Sequence, residues 1–262
     1  MARKTENPEQ LFEPFARAME GLFPGGVVSV TAYGSAVGGS YRPGASDVNF
    51  LVVLTAEAIR DLSPCLDELK TWARRGVSTP LVVTPEYMSG ALDTFPIEFF
   101  NMKAAYRVIT GEDVLGPLEI ADRDLRLQAE RELRGKLLKL RLGYLSSEGK
   151  PDRLQDLALV SFKDFRFLFR ALAHLLPGEA PAGEAEAVDF VCRGLDVPAA
   201  PFHSLQQVAR GRKPSRDAWK ALFRDYIQSV GRLTVAVDAL DARRAPGGGG
   251  TATGAREPEV RP

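Results

Sequence analysis

Apolar positions alternate between helical and strand spacing in the first part of this chain and keep helical spacing in the second. Near the start, Leu11, Phe12, Phe15, Met19 and Leu22 recur at helical spacing, which predicts an amphipathic helix ending before Gly25-Gly26. Val27 to Tyr33 (VVSVTAY) is short and β-branched, so it reads as a strand. Asp47 to Leu54 (DVNFLVVL) is a second strand, nearly all apolar after its opening residues, and is expected to be buried on both faces. Residues 56–75 read as one helix with Ile59, Leu62, Leu66 and Leu69 turned inward. Leu81-Val82-Val83 is a third strand, Ile97-Glu98-Phe99-Phe100 opens a fourth, and Tyr106-Arg107-Val108-Ile109 forms a fifth.

Near residue 120 the strand signals stop. Leu133, Leu137, Leu140 and Tyr144 make one helical stripe, and Leu154 to Leu176 reads as one long helix rich in Leu and Phe. Trp219, Leu222, Tyr226, Val230, Leu233, Val237 and Leu240 alternate by three and four, the strongest helical signal in the chain. A Pro/Gly/Ala-rich break falls at Pro177 to Gly183. The pattern predicts an α+β organisation: residues 1–118 as a mixed sheet flanked by helices, residues 119–245 as an all-helical bundle, and residues 246–262 as a disordered, glycine-rich tail.

Charge narrows the function. Lys+Arg and Asp+Glu both number 34 among 262 residues, so the formal net charge is zero. No bulk field draws the chain onto nucleic acid or an anionic membrane, and any phosphate contact must come from a local cluster. Cys65 and Cys192 are too few for a disulfide framework or a zinc site. No run of about 18 apolar residues is present, so no membrane span is expected. The N-terminus lacks a secretory pattern, and the expectation is a soluble, cytoplasmic protein.

The segment with chemistry in it is Gly34 to Asn49 (GSAVGGSYRPGASDVN). A strand runs into a Gly-Ser turn, crosses a glycine-rich loop and enters the next strand through Ser-Asp-Val-Asn. Glycines let backbone N–H groups approach a polyphosphate, and Ser35 adds a hydroxyl. Asp47 and Asn49 stand two apart on the expected strand, so both side chains leave one face, and two oxygen donors on one face suit a hard cation such as Mg²⁺.

This segment resembles the signature of the DNA polymerase beta-type nucleotidyltransferase superfamily, and the two-part layout is similar to its minimal and aminoglycoside members. The motif likeness covers residues 27–54 and, more weakly, 95–111. The resemblance implies Mg²⁺-dependent transfer of a nucleoside monophosphate from an NTP to an acceptor hydroxyl. It implies a nucleotide site at Gly34, Ser35, Gly38, Arg42 and Ser46, and metal and catalytic roles for Asp47, Asn49 and Glu98. Glu98 takes the place of a third carboxylate on a later strand, with Asp93 as the fallback. The chain departs from the pattern at Asn49, where the second motif acid is replaced by a neutral amide.

That departure leaves two readings open. In one, the chain is a transferase acting on a small-molecule or protein acceptor rather than a long nucleic acid. In the other, it is a weakened or inactive nucleotidyltransferase-like module that binds a nucleotide or a protein partner. Lys163, Arg166 and Arg170 share a helical face, where a solvated surface is favoured over a triphosphate grip. Arg170 to His174 has the wrong spacing for an Arg/His ribonuclease pair, and Trp219 reads as bundle core.

Overall fold

The computed structural model describes residues 5–163, 165–212 and 214–240, so the expected tail at 246–262 lies outside the described residues. The N-terminal half is built as α1 (Phe12–Leu22), β1 (Val27–Tyr33), β2 (Asn49–Leu54), α2 (Cys65–Arg74), β3 (Leu81–Val83), α3 (Pro85–Gly90), α4 (Pro96–Lys103) and β4 (Tyr106–Gly111). Then follow α5 (Asp122–Ser146), α6 (Pro151–Phe162), α7 (Phe165–Leu175), α8 (Glu184–Gly194), α9 (Ala200–Ala209) and α10 (Arg216–Asp238). Short 3₁₀ turns occupy Pro8–Leu11, Gly34–Ala36 and Ala58–Arg60. The fold is α+β.

The strands form one mixed sheet in the order β3-β2-β1-β4. β1 runs antiparallel to β2 and to β4, and β2 runs parallel to β3. Because side chains alternate along a strand, the sheet has two distinct faces. Val30, Ala32, Phe50, Val52 and Leu54 pack with α1 and Trp72 of α2. Phe15 stacks on Phe50 at a centroid distance of 4.0 Å, and both rings are fully buried. Leu51 and Val53 turn to the opposite face, where they meet Val83, Met88, Phe99 and Met102 from β3, α3 and α4. Gly111 ends β4 with φ +81°, and a β-carbon there would lie 2.0 Å from the Val28 carbonyl oxygen. Only glycine permits that close strand pairing.

The helical half surrounds one large apolar core, with α10 packed along α5 and α6 and α7 packed on α8 and α4. Phe165, Phe169, Phe202 and Tyr226 form a buried aromatic group with centroid separations of 5.1–6.0 Å. Tyr226 keeps its hydroxyl paired with the Ser161 hydroxyl at 3.0 Å, and burial raises its pKa. Ile97 of α4 belongs to this core as well.

Three sequence expectations change. Residues 56–75 are not one helix: Asp61 accepts from the Ser63 N–H at 2.9 Å, and Pro64 follows, so the chain turns before α2. Leu62 and Leu66 are consequently exposed. The expected strand at 97–100 is the helix α4. Pro96 sits in its first turn, where a missing N–H costs nothing, and Glu98 lies near the positive end of the helix dipole. The long helix expected over 154–176 is two, α6 and α7, because each half meets different neighbours: α6 lies on α10, α5 and α9, and α7 on α8, α4 and α5.

Candidate functional site

The end of β1 sets the site. Tyr33 stands opposite Asn49 of β2 and opposite Tyr106 of β4, so these three residues form one row across the mouth of the sheet. The chain then leaves β1 through Gly34, whose φ of +80° favours glycine. Gly34, Ser35 and Ala36 form a 3₁₀ turn, closed by the Val37 and Gly38 N–H groups donating to the Gly34 carbonyl. The Gly34 N–H itself donates to the Ala105 carbonyl at 2.8 Å, just after α4. That donor is already engaged, as are the Val37 and Gly38 amides, so the turn's side-chain donor for an anion is the Ser35 hydroxyl.

The glycine-rich loop is held at both ends. A β-carbon on Gly38 would lie 3.1 Å from the Ala105 β-carbon, so the loop comes close to the end of α4. At the tip, the Arg42 N–H donates to the Ser46 hydroxyl at 3.1 Å, and the Ser46 N–H returns to the Arg42 carbonyl at 2.8 Å. Ser46 therefore closes the tip, while the Arg42 side chain is exposed. Asp47 is exposed and precedes the first residue of β2. Val48 is clamped by an isolated bridge to Val77.

Asn49 is anchored through its side chain. Its Oδ1 accepts from the Ser78 hydroxyl at 2.7 Å. Ser78 is fixed in turn, its N–H donating to the Val48 carbonyl at 3.0 Å. The Asn49 Nδ2 points the other way, toward the turn, 3.4 Å from where a Gly34 β-carbon would stand.

Glu98 is placed differently. It projects from α4, and its Oε2 accepts from Gln128 Nε2 of α5 at 2.8 Å. Gln128 is buried, also donates to Glu132 at 3.0 Å, and accepts from the Ile97 N–H at 2.8 Å. Glu98 is thus part of the joint between α4 and α5. Asp93 is exposed in the turn before α4 and accepts from the Thr94 hydroxyl.

These residues do not fit a carboxylate-built pair of metal ions. β3 is Leu-Val-Val and β4 is Tyr-Arg-Val-Ile-Thr-Gly, so neither strand beside β1 and β2 supplies an acid. On the face where Asn49 opens, its neighbours across the sheet are Tyr33 and then Tyr106. The Asn49 carbonyl oxygen is taken up by Ser78. Among the described residues, no group of three or more His, Cys, Asp or Glu is arranged to hold a metal ion.

The remaining sequence candidates lie elsewhere. Lys163 is exposed at the C-terminal cap of α6, and Arg166 and Arg170 are exposed on α7, with the Arg166 guanidinium 4.4 Å from the Phe167 ring. His174 pairs with Asp122 at 3.1 Å and packs against Phe100, and Trp219 is buried in the bundle. No helix among the described residues is long and apolar enough to cross a membrane.

Two residues at the site escape a reading by motif. Ser78 lies in a polar stretch before a short strand, with nothing in its neighbourhood to mark it. Gln128 carries a signal: it is a lone amide between Leu125, Ala129 and Leu133 on the buried face of α5, where a polar side chain needs a partner.

No family model matches the sequence, and no curated protein does. Among solved structures, the chain is similar to the spectinomycin adenyltransferase AAD(9) from Enterococcus faecialis, solved with ATP and spectinomycin. The two share 12% identity, the match covers 89% of this chain and 100% of that one, and the TM-score is 0.51. At that identity the likeness speaks to architecture: this chain has the fold of a nucleotidyltransferase.

Proposed function

We propose that this chain is a nucleotide-binding module on a nucleotidyltransferase fold, with group transfer reduced to a residual rate. The observation that carries the reading is Asn49. It stands where the motif has an acid, and its carbonyl oxygen is occupied by Ser78. Glu98, the expected third carboxylate, is bonded to Gln128 on α5. Phosphoryl chemistry with two cations relies on carboxylates to offset the metal charge. A deficit of several kcal/mol in that offset corresponds to orders of magnitude in rate. Nucleotide binding is supported by the glycine turn at the end of β1 and by the likeness to an adenyltransferase solved with ATP.

A second reading has one specific observation in its favour. Asp47 retains an exposed carboxylate at the same mouth. In that reading the protein transfers a nucleoside monophosphate from an NTP to the hydroxyl of a small molecule or a protein.

The two separate in one experiment. Calorimetric titration with ATP, GTP, CTP and UTP is run beside an assay for pyrophosphate release over a panel of hydroxyl acceptors. The module reading expects saturable binding of at least one nucleotide with release near background. Sustained release establishes the transferase, and a folded protein that binds no nucleotide overturns both.

A further inference from the structure

We infer that Asn49 meets a nucleotide phosphate as an N–H donor, so that binding at this site does not depend on a divalent cation. The inference rests on the nucleotide-binding reading above and deepens it.

The argument starts from the orientation of one amide. Ser78 gives its hydroxyl hydrogen to Asn49 Oδ1 at 2.7 Å. The carbonyl end is thereby turned toward Ser78, and the amide end toward the glycine turn. The Nδ2 end faces Gly34, 3.4 Å from the position a β-carbon would take there. A carboxylate at this position offers only acceptors, and next to a phosphate it needs a cation between them. An amide in this orientation offers two N–H groups to the same space. Phosphate oxygens accept such donors directly.

The surroundings agree with a donor role. The row across the sheet at this level is Asn49, Tyr33 and Tyr106, with no acid in it. The 3₁₀ turn of Gly34, Ser35 and Ala36 places the Ser35 hydroxyl on the same loop, and Arg42 adds an exposed cation near the loop tip. Asp47 is the one carboxylate of the motif. It is exposed, so water and salt screen its repulsion of a phosphate.

The test is ATP titration of the full chain in EDTA and in Mg²⁺. The variants are Asn49→Asp, Asn49→Ala and Asp47→Ala, each checked for an intact thermal transition. The wild type is expected to hold ATP with affinities within about threefold in the two buffers, the scale of ordinary screening changes. Asn49→Asp is expected to lose at least about tenfold in EDTA and to recover in Mg²⁺, because it exchanges a donor for a charge that needs a cation. Asn49→Ala is expected to weaken binding equally in both buffers, and Asp47→Ala to change it by no more in Mg²⁺ than in EDTA. Loss of wild-type binding by more than about tenfold in EDTA, or a larger loss in Mg²⁺ than in EDTA for Asp47→Ala, overturns this inference and leaves nucleotide binding standing. Absence of binding in both buffers overturns the nucleotide reading and this inference with it.

Discussion

The Ser78 hydroxyl donates to the Asn49 side-chain carbonyl at 2.7 Å, and the Nδ2 end of the amide faces the glycine turn. Replacing Ser78 with Ala removes the anchor and frees the amide to rotate. A net cost of about 1 kcal/mol in stability is expected, as for a single neutral hydrogen bond. The more telling effect is on nucleotide affinity, expected to fall several-fold although Ser78 need not touch the ligand. Denaturant unfolding and ATP titration on the same sample separate the two effects.

Gln128 is predicted to be costlier to lose. It bonds the Ile97 N–H, Glu98 and Glu132 from a buried position. Gln128→Leu keeps the bulk but leaves the Ile97 amide without that acceptor. A destabilisation of about 1–3 kcal/mol is expected, the cost of an unsatisfied buried group. Urea unfolding measures it, and an unchanged midpoint counts against the role described.

The ion network on α5 gives a pH prediction with a definite sign. Glu130 bonds Arg134 at 2.6 Å and the buried Arg126 at 2.8 Å, and Arg134 reaches Asp238 of α10 at 3.2 Å. The hydrogen bond from Arg134 is the main cause holding the Glu130 carboxyl below its ordinary value. A depressed folded-state pKa contributes stability above the unfolded value, and loses it as pH falls through the folded one. Glu130→Gln is therefore expected to lower the melting temperature at neutral pH and to converge with the wild type in acid. Thermal melts across that range test this.

His203 runs the other way. It bonds Asp189 of α8 at 2.7 Å, and this bond is the main cause of its raised pKa. A raised folded-state value means that the stabilisation is fully present below the unfolded pKa, and is lost as pH rises through the folded one. Asp189→Asn is thus expected to destabilise the protein most in mildly acidic buffer and least in alkaline buffer. The nearby Cys192 thiol is buried, and its pKa is pushed up to about 12, so it is expected to resist alkylation in the folded state over the same range.

Gly111 offers a test of the sheet itself. Gly111→Ala sets a methyl against the Val28 carbonyl and holds a residue at φ +81°. Loss of the β1–β4 pairing is expected, seen as a drop of several kcal/mol in unfolding free energy, consistent with strain plus overpacking.

The parts of this fold that were legible in the sequence share one property: their signal was local. VVSVTAY and DVNFLVVL are strands because β-branched and apolar runs of that length have few alternatives, and the structure has strands at Val27–Tyr33 and Asn49–Leu54. The stripe from Trp219 to Val237 repeats long enough to define a helix, α10. Phe95 to Phe100 failed that test. Its apolar run is too short to show a period, and Pro96 opening a helix competes with a strand reading. The break between α6 and α7 depends on which helices each half meets, which no window of sequence contains. At the site, the Gly34 turn and the Asp47-Val48-Asn49 step were visible as a pattern, but the bond to Ser78 joins residues 29 apart and was not. Glu98 drew attention as an acid in an apolar run; its partner Gln128 is 30 residues away.

α4 is fastened at opposite ends to different parts of the molecule. Its first turn carries Ile97 into the core of the helical bundle, and just past its last turn the Ala105 carbonyl holds the Gly34 amide. Eight residues of helix make a strut of about 12 Å between the two. A tilt of the bundle that carries Ile97 with it is therefore passed along a rigid rod to the backbone of the glycine turn.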